Sequence, residues 1–309
     1  MEDVLGIVGQ GFVGGAAREH LSRFFRVETH DPKWLGCVQG DLIDYVVGSS
    51  RSTEPDPRCT TKSVADLCSK ARIVFVCVPT PMRKDGSADL SIVNDVVRQV
   101  AQAADDHVAV VKSTVPPGTT EGWNMLYGKP GKFQVVFQPE FLTEARAAKD
   151  FEEQSRVIIG GPRPASTRVK LVFERAFPKI PIVKTSSTIA EMVKYATNCF
   201  LMTKVLFANE MHQICEALSE RLGQDVDWDK VVEYAKSDAR MGESHWGVPG
   251  PDGHLGAGGS CFPKDVNALI SACEEMGVDA KILKAVWSKN LDVRPERDWE
   301  QLKGRAVSG

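Results

Sequence analysis

The chain has 309 residues, with 38 basic against 41 acidic side chains and a net charge of -3. That length allows two domains with real cores, and the near balance of charge excludes a general polyanion binder, so no nucleic-acid partner is expected. Every apolar run falls short of the roughly 18 residues needed to span a bilayer. The start MEDVLGIVGQG is acidic and enters a strand at once, unlike a signal peptide, so a cytoplasmic protein without membrane attachment is expected.

The first predicted strand, VLGIV, runs into Gly9, Gln10, Gly11, Phe12, Val13 and Gly14 and then a helix. This is GxGxxG between strand and helix, where glycines permit a tight turn, close approach of backbone to a pyrophosphate, and packing of helix on strand. A second strand, RVETH, leads to Asp31, twenty residues after Gly11. A carboxylate there accepts hydrogen bonds from the adenosine ribose and repels a 2′-phosphate, which favours NAD over NADP. An acidic turn residue closing a strand would give the same letters.

Apolar runs and amphipathic segments then alternate: SVADLCSKA as helix, RIVFVCVP as strand, LSIVNDVVRQVAQAA as helix, and HVAVVKST, FQVVFQP and RVIIGG as strands. A helix in ASTRVKLVFERAF and a strand in IPIVKTS follow. The pattern predicts an α/β fold with a Rossmann-type, doubly wound, mostly parallel sheet, whose ligands lie at the strand carboxyl ends. Val78 and Thr80, Ser113 and Thr114, and Glu140 and Glu144 fall there.

From Ser187 some 35 residues contain neither Gly nor Pro, and Ile189, Met192, Val193, Ala196, Cys199 and Phe200 recur at helical spacing. One long helix over 187–221 with a broad apolar face is predicted, as the spine of an all-helical domain or a homodimer interface. Lys194 and Asn198 stand four apart and share a face of it, as a solvated polar stripe also would. Further on, GGSCFPKD places Cys261 between a Gly- and Pro-rich loop and a helix, where a thiol gains thiolate character; a packing role is the alternative. The eight cysteines include no CxxC pair and the six histidines no pair four apart, so neither a metal site nor a disulfide framework is expected. Most of the thiols read as packing residues.

Six segments in order, GQGFVG, VPTP with DGSADLS, STVPPGT, PEFLTE, KYATN and GGSCFPKD, resemble the UDP-glucose/GDP-mannose 6-dehydrogenase family, out to about residue 295. Phe262, after the cysteine, is more similar to the UDP-sugar branch. The resemblance implies that a primary alcohol of a nucleotide sugar is oxidised twice with NAD, through a thiohemiacetal and then a thioester on Cys261. It further implies that Lys194 and Asn198 stabilise oxyanions, that Asp265 orients or activates water, and that Glu140 serves acid-base steps of thioester hydrolysis. Glu144 is implied near the nicotinamide. Phe141, Leu142, Thr143 and Gly258 are implied contacts to the sugar, and Arg240 reaches it from a partner subunit. Ala257 departs from the family's aromatic residue and Gln138 from its asparagine. The family's third domain, which grips the uridine diphosphate, is expected to be missing, DWEQLKGRAVSG resembling only its opening. The expected division is 1–186 for NAD, 187–300 for the helical domain and 301–309 as a stub. A GDP-mannose or other UDP-sugar dehydrogenase, or a weakly catalytic NAD-binding dimerisation subunit, are the alternatives.

Overall fold

The computed structural model describes residues 3–32, 59–103 and 106–309. Cys37 lies outside the described residues. Two compact units form, one from Met1–Thr80 with Asp89–Lys194 and one from Pro81–Ala88 with Tyr195–Gly309.

Among the described residues the first unit holds seven strands: β1 (Val4–Val8), β2 (Arg26–His30), β3 (Ile73–Val76), β4 (His107–Val111), β5 (Phe133–Phe137), β6 (Val157–Gly160) and β7 (Ile182–Thr185). Their spatial order is β2-β1-β3-β4-β5-β6-β7. Neighbours are parallel except β5 and β6, which meet antiparallel at Phe137 and Gly160. The inner strands are largely apolar on both faces because both faces are covered, whereas the edge strands β2 and β7 carry polar and exposed residues. Leu5, Ile7, Phe75 and Val110 pack with α1 (Phe12–Leu21), α5 (Ala147–Glu152) and α6 (Ala165–Ala176). The alternate residues Val8, Val74, Val76, Ala109 and Val111 pack with α2 (Val64–Lys70), α3 (Ser91–Gln102) and α4 (Thr119–Tyr127). Each Val, Leu, Ile or Phe among them, removed from water, contributes roughly 1.5–3 kcal/mol. Since β1 lies between β2 and β3, the carboxyl ends of β1 and β3 flank a switch point, where ligands of such sheets settle.

Helix α7 (Ser187–Leu222) supplies its first two turns to the first unit and the remainder to the second. The division falls between Lys194 and Tyr195, inside the helix rather than at its start. In the second unit Tyr195, Cys199, Met202 and Leu206 pack with α9 (Phe262–Glu275) and α10 (Lys281–Val293). Farther along, Ala208 and Cys215 pack with Trp246 and with Trp228 of α8 (Trp228–Ala235). The apolar face read from the sequence is split: Cys199 is buried, whereas Ile189, Met192 and Phe200 are 56, 41 and 67 % exposed. A helix 36 residues long presents more than one apolar stripe, and spacing alone does not say which is covered. Residues 81–88 join the second unit because the Met82 amide donates to the Ala306 carbonyl and the Ser308 amide to the Met82 carbonyl, both at 2.8 Å. The segment 301–309 is thereby tied into that unit, with Trp299 buried just before it.

Candidate active site

In the first unit the β1–α1 turn is shaped for a dinucleotide. Gly9 has φ +90°, and a Cβ there would lie 2.5 Å from the Cys77 carbonyl oxygen; at Gly14 a Cβ would overlap the Gly9 carbonyl. Gly11 is the N-cap of α1 and has no side chain to occupy the first amides of the helix, which leaves that end suited to an anion. The Gln10 amide donates to Asp31 Oδ2 at 2.6 Å, which brings the carboxylate at the end of β2 onto the glycine turn. Gln10 Oε1 is buried without a hydrogen-bond partner among the described residues. Phe12 is half exposed at the mouth of the turn and Val13 half-buried behind it. A cradle that a Cβ would fill, an uncapped helix end and an orphaned amide oxygen fit a nicotinamide dinucleotide.

Beyond β3 and β4 the chain is pinned by its own hydroxyls. Ser113 Oγ donates to the Val78 carbonyl at 2.6 Å and Thr80 Oγ1 to the Thr114 carbonyl at 2.8 Å, so the two loops after these strands are joined. From α7, the fully buried Glu191 accepts the Gly118 amide at 2.6 Å and the Thr120 amide at 2.8 Å, anchoring STVPPGT to the helix that carries Lys194.

Lys194 Nζ lies 2.8 Å from Glu140 Oε1 and donates also to the Glu140 carbonyl at 2.7 Å, and the other carboxylate oxygen accepts the Leu142 amide at 2.7 Å. Burial works to raise the Glu140 carboxyl. The Lys194 charge and hydrogen bond, the Leu142 amide and the Lys112 charge outweigh it and hold the group below its ordinary value, so Glu140 is a carboxylate. The Phe141 ring stands 5.8 Å from Lys194 Nζ and 4.6 Å from the Arg156 guanidinium. Thr143 is exposed and donates through its amide and hydroxyl to Asp150, while Glu144 opens the short turn Glu144–Arg146.

Lys112, passed over in the sequence, belongs with these groups. It is 2 % exposed at the end of β4, and its ammonium donates to Gln138 Oε1, whose amide donates to the Pro139 carbonyl at 2.5 Å. Burial pushes it down to about 8, against Cys77 and the Glu140 charge, which raise it. Lys112 and Glu140 line one cavity with Phe141, Leu142 and Phe151. The signal was present: a lysine directly after the apolar strand HVAVV is flush with the carboxyl end of the sheet.

In the second unit Cys261 is the residue before α9, and its carbonyl accepts the Asp265 amide at 3.0 Å, closing the first turn. Asp265 is 1 % exposed; one carboxylate oxygen accepts from Asn198 Nδ2 and the other from Lys264 Nζ, each at 2.5 Å. Ser260 Oγ is 3.8 Å from the Cys261 sulfur. Thus the Asp265 carboxylate, one turn after Cys261, meets the Asn198 amide from α7, as Glu140 meets Lys194 in the first unit. Arg240 stands apart, on the turn Ala239–Met241, paired with Asp238 and 89 % exposed.

Residues 54–176 match the UDP-glucose/GDP-mannose dehydrogenase family's NAD binding domain and residues 188–292 its central domain. The UDP-glucose 6-dehydrogenase TuaD of Bacillus subtilis is 34% identical over 93% of this chain, which spans 62% of that relative's length. The UDP-glucose 6-dehydrogenase AglM of Haloferax volcanii is 34% identical over 97% of this chain and 72% of its own length. Among solved structures, a UDP-glucose dehydrogenase from Pyrobaculum islandicum superposes with a TM-score of 0.77 at 31% identity, covering 98% of this chain and 71% of that one. With both domain patterns in sequence order, the glycine turn shaped for a dinucleotide and relatives aligned over nearly the whole chain, this protein belongs to the UDP-glucose/GDP-mannose dehydrogenase family.

Proposed function

We propose that the chain carries the catalytic groups of an NAD-dependent UDP-sugar 6-dehydrogenase, oxidising UDP-glucose to UDP-glucuronate. The observation that carries this reading is the placement of Cys261 one helical turn before Asp265, a buried carboxylate held by Asn198. A two-electron alcohol dehydrogenase needs no such thiol, whereas a four-electron oxidation must keep its aldehyde from escaping.

The bound dinucleotide supplies the hydride acceptor, once for each oxidation. Gly9, Gly14 and the amide end of α1 would hold its pyrophosphate, and Asp31 would hold its adenosine ribose and select NAD over NADP. Lys194 and Asn198 stabilise negative charge on the sugar C6 oxygen as its proton leaves. The Cys261 sulfur adds to the aldehyde carbon as the thiol proton passes to the aldehyde oxygen, giving a thiohemiacetal; loss of its C6 hydrogen as hydride and of its hydroxyl proton leaves a thioester. Water, oriented by Asp265 and deprotonated by Glu140, cleaves the carbon–sulfur bond and releases carboxylate and thiol. Phe141, Leu142, Thr143 and Gly258 frame the sugar. Glu144 would lie near the nicotinamide.

The exposed apolar residues Phe200, Phe207 and Ile214 recur every seven residues along α7, with Leu218 and Leu222 beyond them. A stripe of this length marks an association surface, so we place a homodimer there, with Arg240 serving the partner's sugar. Incubation with NAD and a panel of nucleotide sugars tests the reading. Two NADH per acid formed, from UDP-glucose in preference to GDP-mannose, is the expected result; one NADH per turnover, or no oxidation of any nucleotide sugar, overturns it.

A further inference from the structure

The loop that ends at Cys261 has almost no regular structure, yet its backbone is held residue by residue by side chains of the second unit, of which Asn209, Asn290 and Arg294 are buried and Asp298 half-buried. Asn209 Oδ1 accepts the Gly256 amide at 3.0 Å. Asn290 takes both sides of Ala257: Oδ1 accepts its amide at 2.7 Å and Nδ2 donates to its carbonyl at 3.0 Å, as a neighbouring strand would. Asp298 Oδ2 accepts the Gly259 amide at 2.9 Å. Between these, Arg294 donates to the Leu255 carbonyl at 3.2 Å, to Asp252 at 2.7 Å and to Asp298 Oδ1 at 2.6 Å. Asn290 and Arg294 are 0 and 2 % exposed. A Cβ at Gly258 would run into the Arg294 guanidinium, which its two carboxylate partners prevent from moving aside.

We propose that Asn290, Arg294 and Asp298, at four-residue spacing, are positioning residues that set the path of 255–259 and so aim the Cys261 thiol. The proposal rests on the reading of Cys261 as the nucleophile. Each group acts on the loop through its backbone. A loop rich in glycine would otherwise sample many conformations, and a nucleophile displaced by about 1 Å loses on the order of 100-fold in rate. Ala257, where the sequence lacks an aromatic side chain, is secured through its backbone instead.

The test uses Asn290→Ala and Asp298→Asn in the full chain, with helix content checked by circular dichroism. Iodoacetamide labelling of Cys261 is followed across pH by peptide mass spectrometry, with Cys59 of the first unit as an internal control, alongside turnover and NAD affinity. Expected are labelling of Cys261 changed at least about fivefold, turnover lowered about 100-fold, and Cys59 labelling and NAD affinity within about twofold. Cys261 labelling within about twofold of the native rate in the folded variants overturns the proposal. Should Asn290→Ala fail to fold, Asp298→Asn, which keeps the side-chain shape, decides alone. If the native chain oxidises no nucleotide sugar, the function proposed above fails, and the labelling still decides whether the ladder aims the thiol.

Discussion

Glu140 and Asp265 are both buried carboxylates contacted from α7, yet they are neutralised differently. Glu140 takes its ammonium from Lys194, 54 residues away in sequence, in the first unit. Asp265 takes an amide from Asn198, 67 residues away, and an ammonium from the adjacent Lys264, in the second. The charge of Glu140 therefore depends on α7 being docked, whereas Asp265 carries half of its compensation beside it in the sequence. In the reading proposed above, which needs one base and one group that orients water, this difference separates the two: Glu140 is tied to Lys194, and Asp265 to the helix that follows Cys261.

The comparison breaks first at Lys194. Lys194→Met leaves the Glu140 charge buried and unpaired, so a loss of about 3–5 kcal/mol in urea unfolding is expected, with turnover down roughly 100- to 1,000-fold and NAD affinity little changed. Asn198→Ala leaves Lys264 in place on Asp265 and should cost less, about 1–3 kcal/mol. Equal losses for the two variants would erase the distinction. The acid limb sharpens it. Because the folded-state value of Glu140 lies below the ordinary 4.5, the stability it contributes is present above that pH and is lost as pH falls through the folded value. In Lys194→Met that loss should vanish or reverse, as followed by urea unfolding from pH 6 to 3.

Lys112 gives a smaller effect of opposite sign. Its ammonium is depressed to about 8, so the unfolded chain holds the proton more tightly between about 8 and about 10.4. Over that window the native chain should gain stability with rising pH, and the advantage of Lys112→Met at pH 7 should shrink. The loss of a donor to Gln138 offsets part of that advantage. A constant difference across the window in thermal melts would place the charge elsewhere. The smallest effect is expected at Asp31: Asp31→Ser should narrow the preference for NAD over NADP in calorimetry while leaving the fold unchanged.

The first unit was legible because its signals are local. Strands covered on both faces read as unbroken apolar runs, and the residues that follow them are at the site by construction. The glycine turn and Asp31 are separated by one strand–helix–strand unit whose spacing fixes them. The pairing of Lys194 with Glu140 and of Asn198 with Asp265 was not legible from residues alone, because four-residue spacing on a helix does not say what faces it; the resemblance to the family named these residues without their contacts. Asn290, Arg294 and Asp298 were missed altogether. Asn290 is a polar residue on the amphipathic helix α10, and Arg294 and Asp298 are charged residues just past its end; all three read as solvated, and only the tertiary fold brings the glycine loop against them. The place of Lys112 at the end of a strand was legible but its burial was not, since a lysine ending a strand is usually exposed.

The central claim, that Cys261 holds the sugar covalently between the two oxidations and that Glu140 serves its release, is tested most directly with Glu140→Gln. Mixed with NAD and UDP-glucose, this variant should release NADH in a burst and then stall, with a thioester-linked uronyl adduct on the Cys261 peptide that hydroxylamine removes. Continued turnover to acid at the native rate, with Cys261 unmodified, would contradict the account.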